Sequence, residues 1–521
     1  MASLHLKRIE NQLLIINQFF LNLTIMKKLM LCAIALMFTS VGFSQVTDSN
    51  GNSSPTATTV PNLSADPDAN TGLSIQNGND NKVRVRQAGT SQSVYTNQDN
   101  GSGIGGNQAR VMQTGAVSSA SGVMNRADVL QSGSTNQSTT KQEGDTNDAV
   151  TRQGQDNDAS ANNRALIRQG VANQAESNYA AIDQDGDGNW AQTQQTYDNS
   201  DAWTQQTGNE NKSMINQDAG PNGTDGHYAM NEQEGDRNES FIGQSGAGAR
   251  NSARALQVGN DNQSKQMQVA TDVSGGTGND AGVVQGEAGI ARRTAVASEA
   301  DAQWSSIIAN VYSTGSLPLY APTQGNKAKQ TQVGAGNSAG MMQYGGDVGA
   351  SNYGEQEQVG DGNAAGMVQT HYYPGDDSNY SKQLQVGNSN TAGLVVAGSG
   401  HKAFQNQDGD SNTALSYQAG KDQKLNTHQF GADNVAYSTQ MGADNAALIV
   451  QYDGQSYTVE QNAGAAFGDF SVGGNQADIL QMGPDGDFGA GAVDCDFDDP
   501  MNLDMDYEVP SFNLGDICDG C

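Results

Sequence analysis

The sequence predicts an all-β fold in which strand–turn–strand coils of about 22 residues stack into a cross-β solenoid. Three observations predict it. Glutamines recur every 11 residues through one stretch of the chain, and a word running from Asn to Gln repeats twenty times. The third is composition: with hydrophobic residues at 35%, aromatics at 6% and a mean hydropathy of -0.61, an ordinary globular core is hard to build.

The charge of the chain limits its partners. Asp and Glu number 57 against 26 Lys and Arg, which gives a formal net charge of -31. Nucleic acid and anionic membrane both attract positive charge, so we expect neither as a partner. Charged residues are nevertheless only 16% of the chain, too few for a polyelectrolyte. Gly, Gln, Asn, Ser, Thr and Ala make up the bulk, and such a chain is either disordered or ordered by backbone pairing and amide ladders.

The N-terminal part has the pattern of a targeting sequence. Residues 26–44 contain two lysines, an apolar run and small residues, which is typical of a secretory signal peptide cleaved after Ser44. Residues 1–25 are then an upstream extension. Residues 45–74 are polar, contain three prolines and lack the repeat, so we expect a flexible leader. No later apolar stretch reaches the length of a membrane span, so we expect an exported protein without one.

The Asn-to-Gln word, Asn-x-[Ala/Ser]-x-x-x-Gln, predicts strands. The Asn, the Ala or Ser, the residue two before the Gln and the Gln itself occupy every second position of the word. In a strand all four side chains therefore point to one face. In 434–440 that face holds Asn434, Ala436, Ser438 and Gln440. The other face varies freely, with residues such as Asp148 and Arg152, as expected of a face in water. Stacked coils would place each amide over the amide of the neighbouring coil. That arrangement supplies the hydrogen bonds that a buried amide requires.

A second word, Gln-x-Gly-x-x-Asn, occurs thirteen times and predicts the corners. Glycine permits a positive φ, and Asp or Asn suits the rest of the turn. The predicted stacking residues are Gln131, Asn136, Gln142, Asn147, Gln407, Asn412, Gln418, Gln429, Asn434, Gln440, Asn445 and Gln451. The predicted turn glycines are Gly133, Gly144, Gly409, Gly431 and Gly442. The turn acids Asp145, Asp187, Asp236, Asp361 and Asp410 either repel along the stack to slow premature assembly or are simply solvated.

The repeats divide the rest of the chain. They run through 75–268 and 326–483, and 269–325 is interrupted or degenerate. Within it, 291–312 is open between a degenerate coil and a short helix, and the sequence predicts no structure for 291–325. The tail, 484–521, is acidic and contains Cys495, Cys518 and Cys521. An odd number of cysteines in an exported chain suggests one disulfide plus a free or intermolecular thiol. The sequence leaves three roles open for the tail: it caps the end of the rod, attaches the rod to another structure or remains disordered.

Motifs that could carry other chemistry are weak. Asp183, Asp185 and Asp187 begin like a calcium loop, but its twelfth position is Gln194 instead of Glu. Cys518 and Cys521 have zinc-like spacing without a second pair or a nearby His, which favours a disulfide. No set of residues has catalytic spacing. We therefore expect no enzyme, no cofactor and no metal.

Together the two words resemble the curlin repeat of bacterial curli subunits, as in the stretch from Gln429 through Gly431, Asn434 and Ala436 to Gln440. The resemblance covers about four-fifths of the chain. It implies export through an outer-membrane pore and assembly at the cell surface, with itself and related curlin-like subunits, into amyloid fibres for adhesion and biofilm matrix. This chain is longer than usual curlin subunits, and its coils are interrupted. Bulk subunit, nucleator and tethered rod therefore remain open roles.

A different class of function is a monomeric β-solenoid that serves as a surface adhesin or binds ice or calcium. An ice-binding face would need a regular outward threonine ladder, and a calcium rod would need an Asp at a fixed corner of nearly every coil. The sequence has neither pattern. An enzyme on a β-helix would need clustered acidic and basic residues in a groove, and basic residues are sparse here.

Overall fold

The repeat region forms thirty strands in two parallel sheets. The structure is a computed structural model that describes residues 69–100, 105–114, 125–154, 160–170, 176–220, 226–246, 249–271, 278–286, 324–345, 351–371, 377–463, 465 and 471–482. The signal-like segment, most of the leader, residues 287–323 and the acidic tail lie outside these residues. Within them the chain is all-β, and no helix is long and apolar enough to cross a membrane. The predicted all-β solenoid is confirmed.

Sheet A contains the odd-numbered strands in chain order. They are β1 (Thr71–Asn77), β3 (Ser93–Asp99), β5 (Arg126–Ser132), β7 (Asp148–Gln153), β9 (Tyr179–Asp185), β11 (Asp201–Thr207), β13 (Tyr228–Glu234), β15 (Ser252–Val258), β17 (Asp280–Gln285), β19 (Ser338–Tyr344), β21 (Ala364–His371), β23 (Thr391–Ser399), β25 (Thr413–Lys421), β27 (Val435–Ala443) and β29 (Ser456–Gln461).

Sheet B contains the even-numbered strands, also in chain order. They are β2 (Lys82–Ala88), β4 (Gln108–Thr114), β6 (Gln137–Glu143), β8 (Arg164–Gln169), β10 (Trp190–Thr196), β12 (Lys212–Asp218), β14 (Glu239–Ser245), β16 (Gln263–Ala270), β18 (Lys327–Gly334), β20 (Asn352–Val359), β22 (Asn379–Val386), β24 (Lys402–Asp408), β26 (Lys424–Phe430), β28 (Ala446–Tyr452) and β30 (Gln476–Gln481).

Each coil contributes one strand to each sheet, so the described stack has fifteen coils. The basic coil length is the predicted one: Thr391 pairs with Thr413, and Lys402 pairs with Lys424, 22 positions later in both cases. Other coils are longer because the chain inserts residues at the corners while the strands stay in register. The largest insertion separates Gln268 from its partner Gln332, yet both occupy the same slot.

The strand boundaries differ slightly from the predicted organisation. β1 begins at Thr71, inside the segment 45–74 that was expected to be leader. The word Asn-x-Ala does not occur there, because Gly72 holds the Ala position. Backbone pairing with β3 accepts this exchange, since the parallel ladder uses main-chain groups that every residue supplies.

The core lies between the two sheets and is narrow. Its middle slots hold the apolar residues that are most deeply buried, including Ile167, Ile182, Ile215, Leu394 and Ile449. The small residue of each word, usually Ala or Ser, lies beside them and lets the sheets approach closely. Amide side chains close the core at both edges.

The outward faces are not uniformly in water, and here the sequence-based expectation for Arg152 is wrong. Arg152 is buried at 8% exposure, and Asp148 is half-buried. Side chains on neighbouring strands stand about 4.8 Å apart and therefore shield one another. In β15, β19, β21 and β23 nearly every residue of both faces is buried, including Arg254 in β15.

Candidate functional site: amide ladders and open ends

One line of fifteen glutamines runs the whole length of sheet B. Each Nε2 except that of the last, Gln481, donates to Oε1 of the Gln in the next coil at 2.8–3.0 Å, so fourteen bonds in succession share one direction. The members are Gln87, Gln113, Gln142, Gln169, Gln195, Gln217, Gln244, Gln268, Gln332, Gln358, Gln385, Gln407, Gln429, Gln451 and Gln481. The structure thus brings the predicted Gln142, Gln407, Gln429 and Gln451 into one ladder.

A second ladder runs along sheet A with the same direction. It contains Gln76, Gln98, Gln131, Gln153, Gln184, Gln206, Gln233, Gln257, Gln285, Gln343 and Gln369, and then Gln418, Gln440 and Gln461. Between the two runs the slot holds Val396. Gln369 Nε2 instead donates to Ser381 Oγ at 3.0 Å, and the buried Gln418 Oε1 has no hydrogen-bond partner. The ladder is interrupted at this coil because the strand register aligns Val396, which has no amide, with Gln369 and Gln418.

Most ladder glutamines also join the two sheets. Gln407 Nε2 donates to the backbone oxygen of Thr391 at 3.0 Å, and Gln429 Nε2 donates to that of Thr413 at 2.9 Å. Both acceptors lie on the facing sheet. The two protons of the primary amide therefore make two hydrogen bonds, one to the next glutamine of the ladder and one to the backbone of the facing sheet.

Asparagines form comparable columns at the other edge of the core. Asn434 donates from both its backbone N and Nδ2 to Asn412 Oδ1, each at 3.0 Å. Asn412 Nδ2 donates to the Gly431 oxygen of the next coil at 2.8 Å. Asn445 and Asn147 join the columns in a similar way, accepting from Asn475 and Asn178. Asn136 accepts from Asn163.

The corner glycines are required by close approach as well as by conformation. All five predicted glycines have a positive φ, from 80° at Gly431 to 132° at Gly409. A Cβ added to Gly409 would lie 1.9 Å from the Gly431 carbonyl oxygen of the next coil. Two residues after Gly409, Ser411 also has a positive φ of 58°. The corner thus needs two left-handed residues, and the second is often Asp, Asn, Ser or Thr.

The turn acids do something that neither sequence-based alternative described. Asp410 Oδ1 accepts from the backbone N and Nδ2 of Asn388 in the preceding coil, at 2.8 and 3.1 Å. Asp187, Asp236 and Asp361 likewise accept backbone N–H groups from the preceding coil. These four acids therefore link each corner by hydrogen bonds to the corner of the preceding coil. Asp145 is buried.

Two histidines replace asparagine in the columns. His401 Nε2 lies 3.0 Å from the Gly420 oxygen, and His227 Nδ1 accepts from the backbone N of Asn251 at 3.3 Å. A neutral imidazole thus presents one donor and one acceptor, as the Asn side chain does. Burial lowers the pKa of His227 and of His401 to about 4.

Sequence reasoning missed a third, shorter ladder in the middle of the core. Five successive coils of sheet B hold Gln where other coils hold an apolar or hydroxyl residue: Gln266, Gln330, Gln356, Gln383 and Gln405. The last donates to Ser416 Oγ at 2.9 Å. The doublet Gln-x-Gln in each of these strands was the available signal, since two glutamines at i and i+2 share a face.

The segment that begins like a calcium loop, which was not predicted to bind metal, is divided between a strand and a corner. Asp183 and Asp185 lie on β9 and Asp187 in the following corner, and no group of side chains in the described ranges could hold a metal ion. The three cysteines lie outside the described part of the chain.

The ends of the stack differ from its interior. Six of the seven residues of β1 are exposed, and β30 alternates between exposed and half-buried. Gln461 and Gln481 both donate to a backbone oxygen across the core, to Ala446 and Ser456. Every interior glutamine of the sheet B ladder donates to the glutamine of the following coil. For Gln481, the last in the line, the described residues contain no such acceptor.

No family model matches the chain, and comparison with curated proteins found no match.

Proposed function

We propose that this chain is an exported structural protein that stacks end to end into curli-like amyloid fibres at the cell surface, for adhesion and biofilm matrix. One observation carries the proposal: both sheets and the sheet B glutamine ladder continue to the two exposed ends of the described stack. A strand edge of this kind templates the addition of another chain.

The ladder direction sets the polarity of such a stack. Every Nε2-to-Oε1 ladder bond points toward the C-terminal end, so that end presents amide donors and the N-terminal end presents Oε1 acceptors. Joining the C-terminal end of one copy to the N-terminal end of the next would place Gln461 over Gln76 and Gln481 over Gln87. Sheets A and B would then both continue across the joint. A head-to-tail contact without a closing rotation gives a filament.

Features of the sequence support the proposed route to the surface. The signal-like segment 26–44 supports export, and the resemblance to curlin repeats supports passage through an outer-membrane pore. The partners would be further copies of this chain and related curlin-like subunits. The role is structural, without a catalytic step or cofactor.

The test is assembly of the purified chain from residue 45 onward. We expect thioflavin T fluorescence to rise with time, preformed fibres to remove the lag, and fibre diffraction to give reflections at about 4.8 and 10 Å. A chain that remains monomeric for days at high concentration would contradict the proposal. That result would favour the monomeric rod that serves as an adhesin or binds a ligand.

A further inference from the structure

Within the described residues of this acidic chain, a dense group of positive charges lies on one face at one end of the stack. β2 contributes Lys82, Arg84 and Arg86, all of which point outward from sheet B. The three following strands of the same sheet add Arg110, Lys141, Arg164 and Arg168 at outward positions. We call these seven residues the basic patch.

The basic patch spans four adjacent strands, about 14 Å along the stack. Lys82, Arg86, Arg164 and Arg168 are exposed, and so is Lys141, which contacts Glu143. Glu143 is the one carboxylate among the outward residues of these four strands. The patch therefore offers several cationic groups to an acidic ligand.

The same chain contains an acidic segment at its other end. Residues 484–521 hold ten Asp and one Glu and no Lys or Arg. The segment follows β30, the last strand of sheet B. The basic patch begins at β2, the first strand of sheet B. In one molecule these two places are fourteen strand spacings apart, on the order of 70 Å.

We infer that the acidic tail of one copy binds the basic patch of the next copy in the stack, an inference that rests on the proposed head-to-tail assembly. In such a stack β30 of one copy lies against β2 of the next. The tail would begin within about 5 Å of the patch-bearing strands, and the twelve residues from Gly483 to Asp494 can span about 40 Å. The neighbour's patch is therefore far closer than the tail's own, which raises its effective concentration.

Zero-length cross-linking tests the contact in the full chain. Lys82 and Lys141 are the two lysines of the patch, and a carbodiimide joins a lysine amine to a carboxylate with which it is already in contact. In fibres mixed from ¹⁵N-labelled and unlabelled chains, we expect peptides that join Lys82 or Lys141 to the segment 494–508, with half of them isotopically mixed. Cross-links confined to one isotope would mean that each tail binds its own patch and would overturn the inference.

Charge variants test the consequence for growth. Removing three exposed cations with R86Q, R164Q and R168Q should slow seeded elongation about tenfold at low salt, because each surface ion pair contributes little but several add up. The matched control K402Q, K421Q and K424Q removes the same charge from the other end of the stack and should elongate like the parent. At high salt the difference should vanish.

A variant outside the strands guards against misfolding of the patch variant. D494N, D496N, D498N and D499N lie after β30 and should slow elongation to the same extent as the patch variant. Normal elongation of this tail variant would overturn the inference while leaving fibre formation intact. If no fibres form from the parent chain, the proposed function fails first, so the two failures are distinguishable.

Discussion

A single strand provides a test of what a ladder amide contributes. Gln206 and Gln205 are neighbours on β11, but Gln206 points into the core and Gln205 points outward. Gln206 accepts from Gln184 and donates to Gln233, both at 2.8 Å. Gln206→Ala would leave both neighbours without a buried partner, at a cost of about 2–3 kcal/mol.

The matched substitution Gln205→Ala should change the free energy of unfolding by less than about 0.5 kcal/mol. Denaturant unfolding of the monomeric chain, followed by circular dichroism, measures both variants. Equal losses in the two would show that the ladder amide contributes no more than an outward-facing, half-buried amide.

The two fully buried histidines, His227 and His401, predict an acid-sensitive stack. An unfolded histidine binds a proton below about pH 6.5, whereas His227 and His401 in the folded chain bind one only below about pH 4. Between these values the unfolded state holds more protons, so stability falls as the pH drops from about 6.5 toward 4. The loss is on the order of 3 kcal/mol for each histidine.

The variant H227N with H401N isolates this effect, because Asn occupies the same slot in most other coils. Its unfolding midpoint should change less between pH 7 and pH 5 than that of the parent. Asp148 acts with the opposite sign in both chains: burial raises its pKa to about 6, so its contribution weakens as the pH rises toward that value. A parent and a variant with the same pH dependence would refute the role of the histidines.

Corners show at the scale of one element why the repeat keeps its glycine. Gly409 and Gly454 both have a positive φ, 132° and 70°. A Cβ at Gly454 would meet nothing within 4 Å, whereas one at Gly409 would collide with the next coil. Gly454→Ala should therefore cost about 1 kcal/mol from conformation alone.

Gly409→Ala should cost about 3 kcal/mol or more, since relieving the overlap requires the coils to separate at that corner. Thermal unfolding of both variants measures the difference. Similar midpoints would mean that only the backbone angle matters and that close stacking of corners does not.

Strands were predictable from the sequence because the word has a period of two. A spacing of six residues from Asn434 to Gln440 is enough to place both on one face. The defect at Val396 was not predictable in the same way. It depends on which coil lies above and below, and that register becomes visible only when Gln369, Val396 and Gln418 are aligned across the sheet.

The whole stack depends on contacts between residues that are far apart in the sequence. Gln268 and Gln332 bond at 2.8 Å although 287–323 lies between their strands. A local word cannot predict that the chain resumes in the same slot after so long an insertion. Burial of outward residues such as Leu256 escaped prediction for a related reason, because it depends on neighbours from other coils.

End-to-end growth gives the last prediction, on β30. Ile479 points inward and is half-buried, and Leu480 points outward and is 37% exposed. A lysine at 479 can reach water in the monomer, because the end coil is open. In a fibre the next copy would cover it, and an unpaired buried charge is strongly unfavourable.

Ile479→Lys should therefore leave the circular dichroism spectrum of the monomer unchanged and slow seeded elongation by at least about a hundredfold, the equivalent of about 3 kcal/mol. Leu480→Lys adds the same charge to the outward face of the same strand and should elongate within a few-fold of the parent. Seeds made from the parent chain remove nucleation from the comparison. Normal elongation of Ile479→Lys would mean that growth does not bury the end of β30, because an uncovered lysine there imposes no penalty.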